Sequence, residues 1–247
     1  SGGCIPIRAV AQVRNNVLRK NTVGMYPGSN GVTPTVIEKN CFKDNNEPGP
    51  GSGEGLYTDQ ILRNASIDAN FFTQQTNCAM NLLGYTTPVS NVTVTNNRLY
   101  NDGPICLYAT ANTVVANNVI SQSLAHGIQL GGGNRNVTIT GNLVRESGLG
   151  WSAVRLVDSG DGYGPNSNVV ISANTFLSNT YGVRTTAGAL NGPLSVVYNV
   201  MNGNGTAVFN ADAPAITKVN RNNLSQSALN AVEQTAAGAL NAECNWY

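Results

Sequence analysis

The stretches SNVTVTNNRLYN (90–101), NTVVANNVISQS (112–123), RNVTITGNLVRES (135–147) and SNVVISANTFLSN (167–179) are variants of one phrase. Each has an alternating apolar run, then an asparagine, then a second short apolar run. Alternation with period two is the signature of a strand with one face in and one face out. Anchoring on the asparagine gives Asn97, Asn118, Asn142 and Asn174. The same register extends outward to Asn16, Asn40 and Asn70, and to Asn199 and Asn222, with intervals of 24, 30, 27, 21, 24, 32, 25 and 23 residues.

Two flanking columns support this register. Three residues before each asparagine stand Val13, Ile37, Ile67, Val94, Val115, Ile139, Ile171, Val196 and Val219. Two residues after it stand Leu18, Phe42, Phe72, Leu99, Ile120, Val144, Phe176, Met201 and Leu224. In a chain that is 41% apolar, two unbroken apolar columns identify the repeat. A coil of this length cannot bury its apolar face alone, but stacked coils can, at the ordinary strand spacing of about 4.8 Å. Each coil has room for three short strands. The third is anchored by Met25, Leu56, Met80, Leu107, Ile128, Val154, Val183, Val208 and Val232.

Composition fits this reading. There are 36 asparagines in 247 residues, and asparagine is poor in ordinary strands and mediocre in helices. In a strict stack, each amide at a bend hydrogen-bonds its copy above and below, as in the asparagine ladders of stacked strands. Helical repeats would need long Ala/Leu/Glu-rich stretches, which only 228–241 approaches.

Charged residues are 11% of the chain and the net charge is +1, so a phosphate-binding surface for nucleic acid is excluded. No apolar run of about 18 residues is present, so no membrane-spanning helix is expected. No apolar leader follows a basic start, so any secretion signal is expected to be already removed or to lie outside this stretch of chain. Cys4, Cys41, Cys78, Cys106 and Cys244 lack zinc-site spacing. They read as small buried hydrophobes, with one or two disulfides open to a secreted protein.

At NVTITGN (136–142) and the ending AECNWY (242–247), the chain resembles the pectate-lyase-like superfamily of right-handed parallel β-helix proteins. The resemblance runs from about residue 9 to the end. It implies an all-β fold, a single right-handed parallel β-helix domain over 1–247 with about nine coils and three strands per coil, whole or a segment of a longer chain. It also implies an extracellular or cell-surface protein. Lyases, hydrolases, epimerases, adhesins and phage tail proteins share this fold, so it implies activity weakly.

Function is expected on the outward faces, since the inside is filled. One residue beyond each third-strand anchor stand Tyr26, Tyr57, Asn81, Tyr108, Gln129, Arg155, Arg184, Phe209 and Glu233. Aromatic faces and planar hydrogen-bonding groups bind sugars, and a guanidinium fork matches a carboxylate. This column is therefore a candidate polysaccharide-binding face, with Tyr26, Tyr57, Tyr108, Gln129 and Tyr163 as substrate-binding residues. Aromatics and arginines also decorate parallel sheets through β-propensity alone.

Two coils carry insertions, DNNEPGPGSGEG (44–55) and DSGDGYGPNSN (158–168). Insertions in solenoids collect beside the binding face. The second is expected to bring Asp158, Asp161 and Tyr163 near Arg184, with His126, the one histidine, a coil below. An enzyme built here would use Arg155 or Arg184 to neutralise a sugar carboxylate, and His126 or the other arginine as base. Asp158 and Asp161 would hold Ca²⁺ or serve as a glycosidase pair. The plainer reading of DSGDG is an Asp/Gly turn.

Asn64, Asn91, Asn136, Asn204 and Asn223 open N-x-S/T sequons, as an Asn-rich repeat produces by composition. No amphipathic capping helix precedes the first coil, which leaves end-to-end self-association or covering by neighbouring domains open. The leading expectation is a protein binding an extracellular polysaccharide. A structural or adhesive module, or filament subunit, and a polysaccharide lyase, epimerase or hydrolase are the alternatives.

Overall fold

The computed structural model describes residues 6–7, 12–84, 89–212 and 216–247. Its strands form three parallel sheets that run the length of a right-handed solenoid. The first sheet has nine strands, the second eight and the third ten. One coil shows the plan: Arg135–Thr140 in the first sheet, Leu143–Arg145 in the second, and Ser152–Leu156 in the third.

Both apolar columns stack in the expected register. Ile67, Val94, Val115, Ile139 and Ile171 pair in sequence across the first sheet. Phe42, Phe72, Leu99, Ile120, Val144 and Phe176 do so across the second. The Phe42 and Phe72 rings stack at 4.5 Å. All of these side chains are buried in one continuous core.

The bend between the first two strands explains the asparagines. The residue before each ladder asparagine is left-handed, from Asn15 and Lys39 through Gly141 to Arg221 and Cys244, with φ between 52° and 66°. Such a bend interrupts the backbone ladder, and the next side chain bridges the gap. Asn118 donates both its backbone N–H and its Nδ2 to Asn142 Oδ1, at 2.9 Å each. Asn142 Nδ2 in turn donates to Asn174 Oδ1 and to the Val115 carbonyl, also at 2.9 Å. The links run unbroken from Asn16 to Asn222 and then to a tenth rung, Asn245. Left-handed non-glycine residues cost about 1–2 kcal/mol each, and the amide bonds offset that cost.

A second ladder lies five residues further on, at the next bend. Asn179 donates to Asn204 at 3.0 Å and Asn21 to Asn45 at 3.0 Å. Its middle rungs are Gln75, Asp102, Ser123 and Ser147, and the amide chain breaks there.

In the third sheet the register corrects one anchor. Met80 pairs with Ile105, and Ile105 with Ile128, so Ile105 and not Leu107 continues the column. Cys106 therefore takes the outward position, and Tyr108 stands two residues further along the strand, opposite Leu83. Both Ile105 and Leu107 point inward, so a shift of two keeps the alternation and is invisible to it. Cys78 and Cys106 form a disulfide, Cys41 and Cys244 are free thiols, and Cys4 lies outside the described residues.

Candidate functional site

The third sheet's outward column reads Tyr57, Asn81, Cys106, Gln129, Arg155, Arg184, Phe209 and Glu233 by direct strand pairing. In four coils a second side chain stands on this face two residues before the anchor: Glu54, Cys78, His126 and Tyr181. These four reach diagonally to the outward residue of the following coil. Glu54 Oε1 accepts from Asn81 Nδ2 at 3.1 Å, Cys78 bonds to Cys106, His126 meets Arg155 at 3.2 Å, and Tyr181 meets Phe209 at 5.5 Å. At these four steps the diagonal brings side chains of adjacent coils together.

The half of the face toward the C-terminus is basic and aromatic. Arg155 and Arg184 are direct neighbours across adjacent strands. The Arg184 guanidinium lies 4.8 Å from the Tyr181 ring centre and 5.6 Å from that of Phe209. His126 is 2% exposed, and the Trp151 ring meets it edge-on at 4.7 Å. Its Nδ1 accepts from the Ser152 N–H at 3.0 Å. Burial, then the charges of Arg155 and Arg184, push the imidazole down to about 3, so it stays neutral at ordinary pH. Burial and the neighbouring Arg184 also lower Arg155. Among the described residues the one ion pair is Arg14–Glu38, far along the chain, so neither arginine has a carboxylate partner.

The other half is acidic and tyrosine-rich. Tyr26 and Tyr57 stack at 5.6 Å, and both hydroxyls donate to Asp59. Glu54 is 1% exposed; burial raises its carboxyl to about 7, against the pull of Asn81 and the Cys78 N–H. Asn77 Nδ2 donates to the same Oε1 at 2.7 Å. Tyr108 stays at the face although it leaves the column: its ring lies over Gly131, where any Cβ would collide with it. Its hydroxyl accepts from Gln129 Nε2 at 2.7 Å.

The 158–168 insertion folds the opposite way from expectation. It turns back over earlier coils, with Tyr163 against Tyr108 at 6.1 Å. Asp161 joins Asn77, Asn81, Tyr108 and Tyr163 around a cleft of about 190 Å³. Asp158 Oδ1 accepts from the Gly160 N–H at 3.1 Å, closing the Asp/Gly turn. Thus His126, Arg155 and Arg184 come together, while Asp158 and Asp161 belong to a separate loop and cleft. Contacts with the Tyr108 coil, distant in sequence, decide the direction of that loop. Among the described residues no three His, Cys, Asp or Glu side chains are grouped to hold a metal ion. Glu54, Asn77 and Trp151 also belong to this candidate face, although the outward column does not include them; Glu54 and Trp151 sit on the strand-opening side.

A family model described as "Right handed beta helix region" matches residues 61–189, just over half of the chain. No curated protein sequence matches. Among solved structures, an alginate lyase from Paenibacillus sp. str. FPU-7 superposes with a TM-score of 0.65 at 13% identity, over 99% of this chain and 84% of that one. The catalytic unit of a thermostable GH87 α-1,3-glucanase from Streptomyces thermodiastaticus strain HF3-3 gives 0.55 at 17% identity, over 98% of this chain and half of the other. At these identities the likeness is one of fold. No helix among the described residues is long and apolar enough to cross a membrane.

Proposed function

The chain belongs to the right-handed beta-helix family, and on that footing we propose that it binds an acidic polysaccharide along the outward face of its third sheet. The observation that carries this reading is the Arg155–Arg184 pair. Two guanidinium groups stand side by side, without a counter-charge among the described residues and partly withdrawn from water. Two like charges repel in that position, and an anion arriving from outside relieves the repulsion. The planar forks suit carboxylate or sulfate oxygens.

The surroundings suit a sugar polymer. Trp151, Tyr181 and Phe209 offer apolar ring surface at the basic end, and Tyr26 and Tyr57 offer a stacked pair further along. Gln129, Tyr108 and Asn81 supply neutral hydrogen bonds between them. Two neighbours in fold act on polysaccharides by name, an alginate lyase and an α-1,3-glucanase, which supports a polymer ligand. The reading includes a place outside the cell or at its surface, supported by the Cys78–Cys106 disulfide, since such bonds persist in oxidising compartments.

Calorimetric titration with polyanionic and neutral oligosaccharides tests it. The expected result is binding of the polyanionic set, weakened about tenfold or more in Arg155→Ala. Equal affinity for both sets, or an Arg155→Ala variant that binds unchanged, overturns it.

A further inference from the structure

The surroundings of His126 contain too many donors. A neutral imidazole has one acceptor nitrogen, and an imidazolium has none. Two donors address this ring: the Ser152 backbone N–H at Nδ1, 3.0 Å away, and Arg155 Nη1 at Nε2, 3.2 Å away. One of the two contacts must face an N–H. The Ser152 amide is fixed in a buried strand, whereas the Arg155 head sits on the outward face. The backbone contact therefore sets the tautomer, and the ring proton lies on Nε2, pointing at the guanidinium. Arg155 Nε and Arg184 Nε are further buried donors with no acceptor. No carboxylate is paired with any of them among the described residues.

We infer that His126, Arg155 and Arg184 form a donor-only site for an oxyanion, in which His126 acts as a neutral Nε2–H donor and not as a base. The acceptor missing from the cluster is the ligand oxygen, the carboxylate of a uronate or the sulfate of a sulfated sugar. The inference deepens the polysaccharide reading, since it names the receptor of the acid group and the residue that makes it selective. His126 is a specificity-determining residue here. A neutral polar group could satisfy at most part of the cluster, while an oxyanion accepts from all three side chains.

The chain has one histidine, so its ring nitrogens can be followed in the whole protein by ¹⁵N NMR without ambiguity. The expected result is the Nε2–H tautomer from pH 5 to 8. An Nδ1–H tautomer, or an imidazolium that titrates near the ordinary value, overturns the inference. Oligogalacturonate and a sulfated oligosaccharide are then added in separate arms, beside a neutral oligosaccharide. Movement of the Nε2 resonance with one anionic arm supports the site and identifies the acid group. Equal movement with the neutral sugar overturns it.

Two variants complete the test. His126→Gln keeps an acceptor for Ser152 and a donor for the ligand, and is expected to bind within about threefold of the native chain. His126→Leu is expected to bind about tenfold more weakly, or worse. Equal affinity of His126→Leu and the native chain overturns the donor role. If no oligosaccharide binds but sodium acetate or sulfate still moves the Nε2 resonance, the anion site stands and the polysaccharide reading fails. If acidic oligosaccharides bind without moving it, the polysaccharide reading stands and this site fails.

Discussion

Replacing Asn142 with alanine removes the central rung of the ladder, and the hydrogen bonds give the size of the loss. Its Nδ2 donates to Val115 O at 2.9 Å, Thr140 O at 3.1 Å and Asn174 Oδ1 at 2.9 Å. Its Oδ1 accepts the Asn118 backbone N–H and Nδ2. Several partners keep another bond after truncation. Asn118 Nδ2 retains the Val94 and Ala116 carbonyls, Thr140 O retains the Asn117 N–H, and Asn174 Oδ1 retains the Asn142 N–H. The Asn118 backbone N–H is left without a partner in the interior. One orphaned buried donor costs about 1–3 kcal/mol, and the four other lost bonds add roughly 0.5–1 kcal/mol each, giving about 3–7 kcal/mol in total. Asn16 provides the control. It is exposed, and among the described residues its side chain bonds to Arg14 O and Asn40 Oδ1, the latter retaining the Asn16 N–H. Asn16→Ala should cost about 1 kcal/mol or less. Urea unfolding followed by circular dichroism and by tryptophan fluorescence measures both variants, with coincident transitions as the check on two-state behaviour. If Asn142→Ala lies within 1 kcal/mol of Asn16→Ala, the ladder is a consequence of stacking and not a cause of it.

Glu54 predicts a pH dependence. Burial holds its folded carboxyl at about 7, against an ordinary value of 4.5, so the unfolded chain loses this proton first. Its contribution to stability is complete below about pH 4.5, falls by up to about 1.4 kcal/mol per unit as pH rises toward 7, and is level above that. Glu54→Gln should flatten this slope in urea melts at pH 4.5 to 7.5; an unchanged slope contradicts the assignment. Asp102, also raised by burial, acts with the same sign, and Asp102→Asn should stabilise the protein at pH 7 by restoring an amide to the second ladder. A loss of stability in that variant contradicts a burial cost on the Asp102 carboxyl. Gly131→Ala forces the Tyr108 ring off its seat and is expected to weaken oligosaccharide binding severalfold while the far-ultraviolet spectrum is unchanged. Full affinity in that variant would remove Tyr108 from the binding face. Reduction of Cys78–Cys106, or the double serine variant, should lower stability by about 2–4 kcal/mol in urea titrations, and an unchanged midpoint contradicts a native bridge.

The fold was legible because its cause is periodic. Val94, Val115 and Ile139 repeat one environment, and each asparagine stands over its copy. Asn245 lies 23 residues after Asn222, within the spacing of the column, and is equally legible. The second ladder was hidden by its chemistry: Asn, Gln, Asp and Ser share the position, and no single letter marks it. The candidate site was legible along the strand and illegible across it. Arg155 and Arg184 follow from the alternation alone. Tyr108 was misplaced because a two-residue slip preserves which face is buried. The diagonal contacts of Glu54, Cys78 and His126 depend on how one coil sits against the next, which no run of residues encodes. The direction of the 158–168 loop is likewise set by a distant partner, Tyr108, and its two aspartates do not reach the arginines that precede and follow them in the chain.

A structure of the protein with a bound acidic oligosaccharide tests the central claim most directly. The account predicts an acid group of the sugar within hydrogen-bonding distance of both Arg155 and Arg184, with the chain of sugars lying along the third sheet toward Tyr108. An oligosaccharide seated on the first or second sheet, or one on the third sheet whose acid groups all face solvent away from the two arginines, would contradict it.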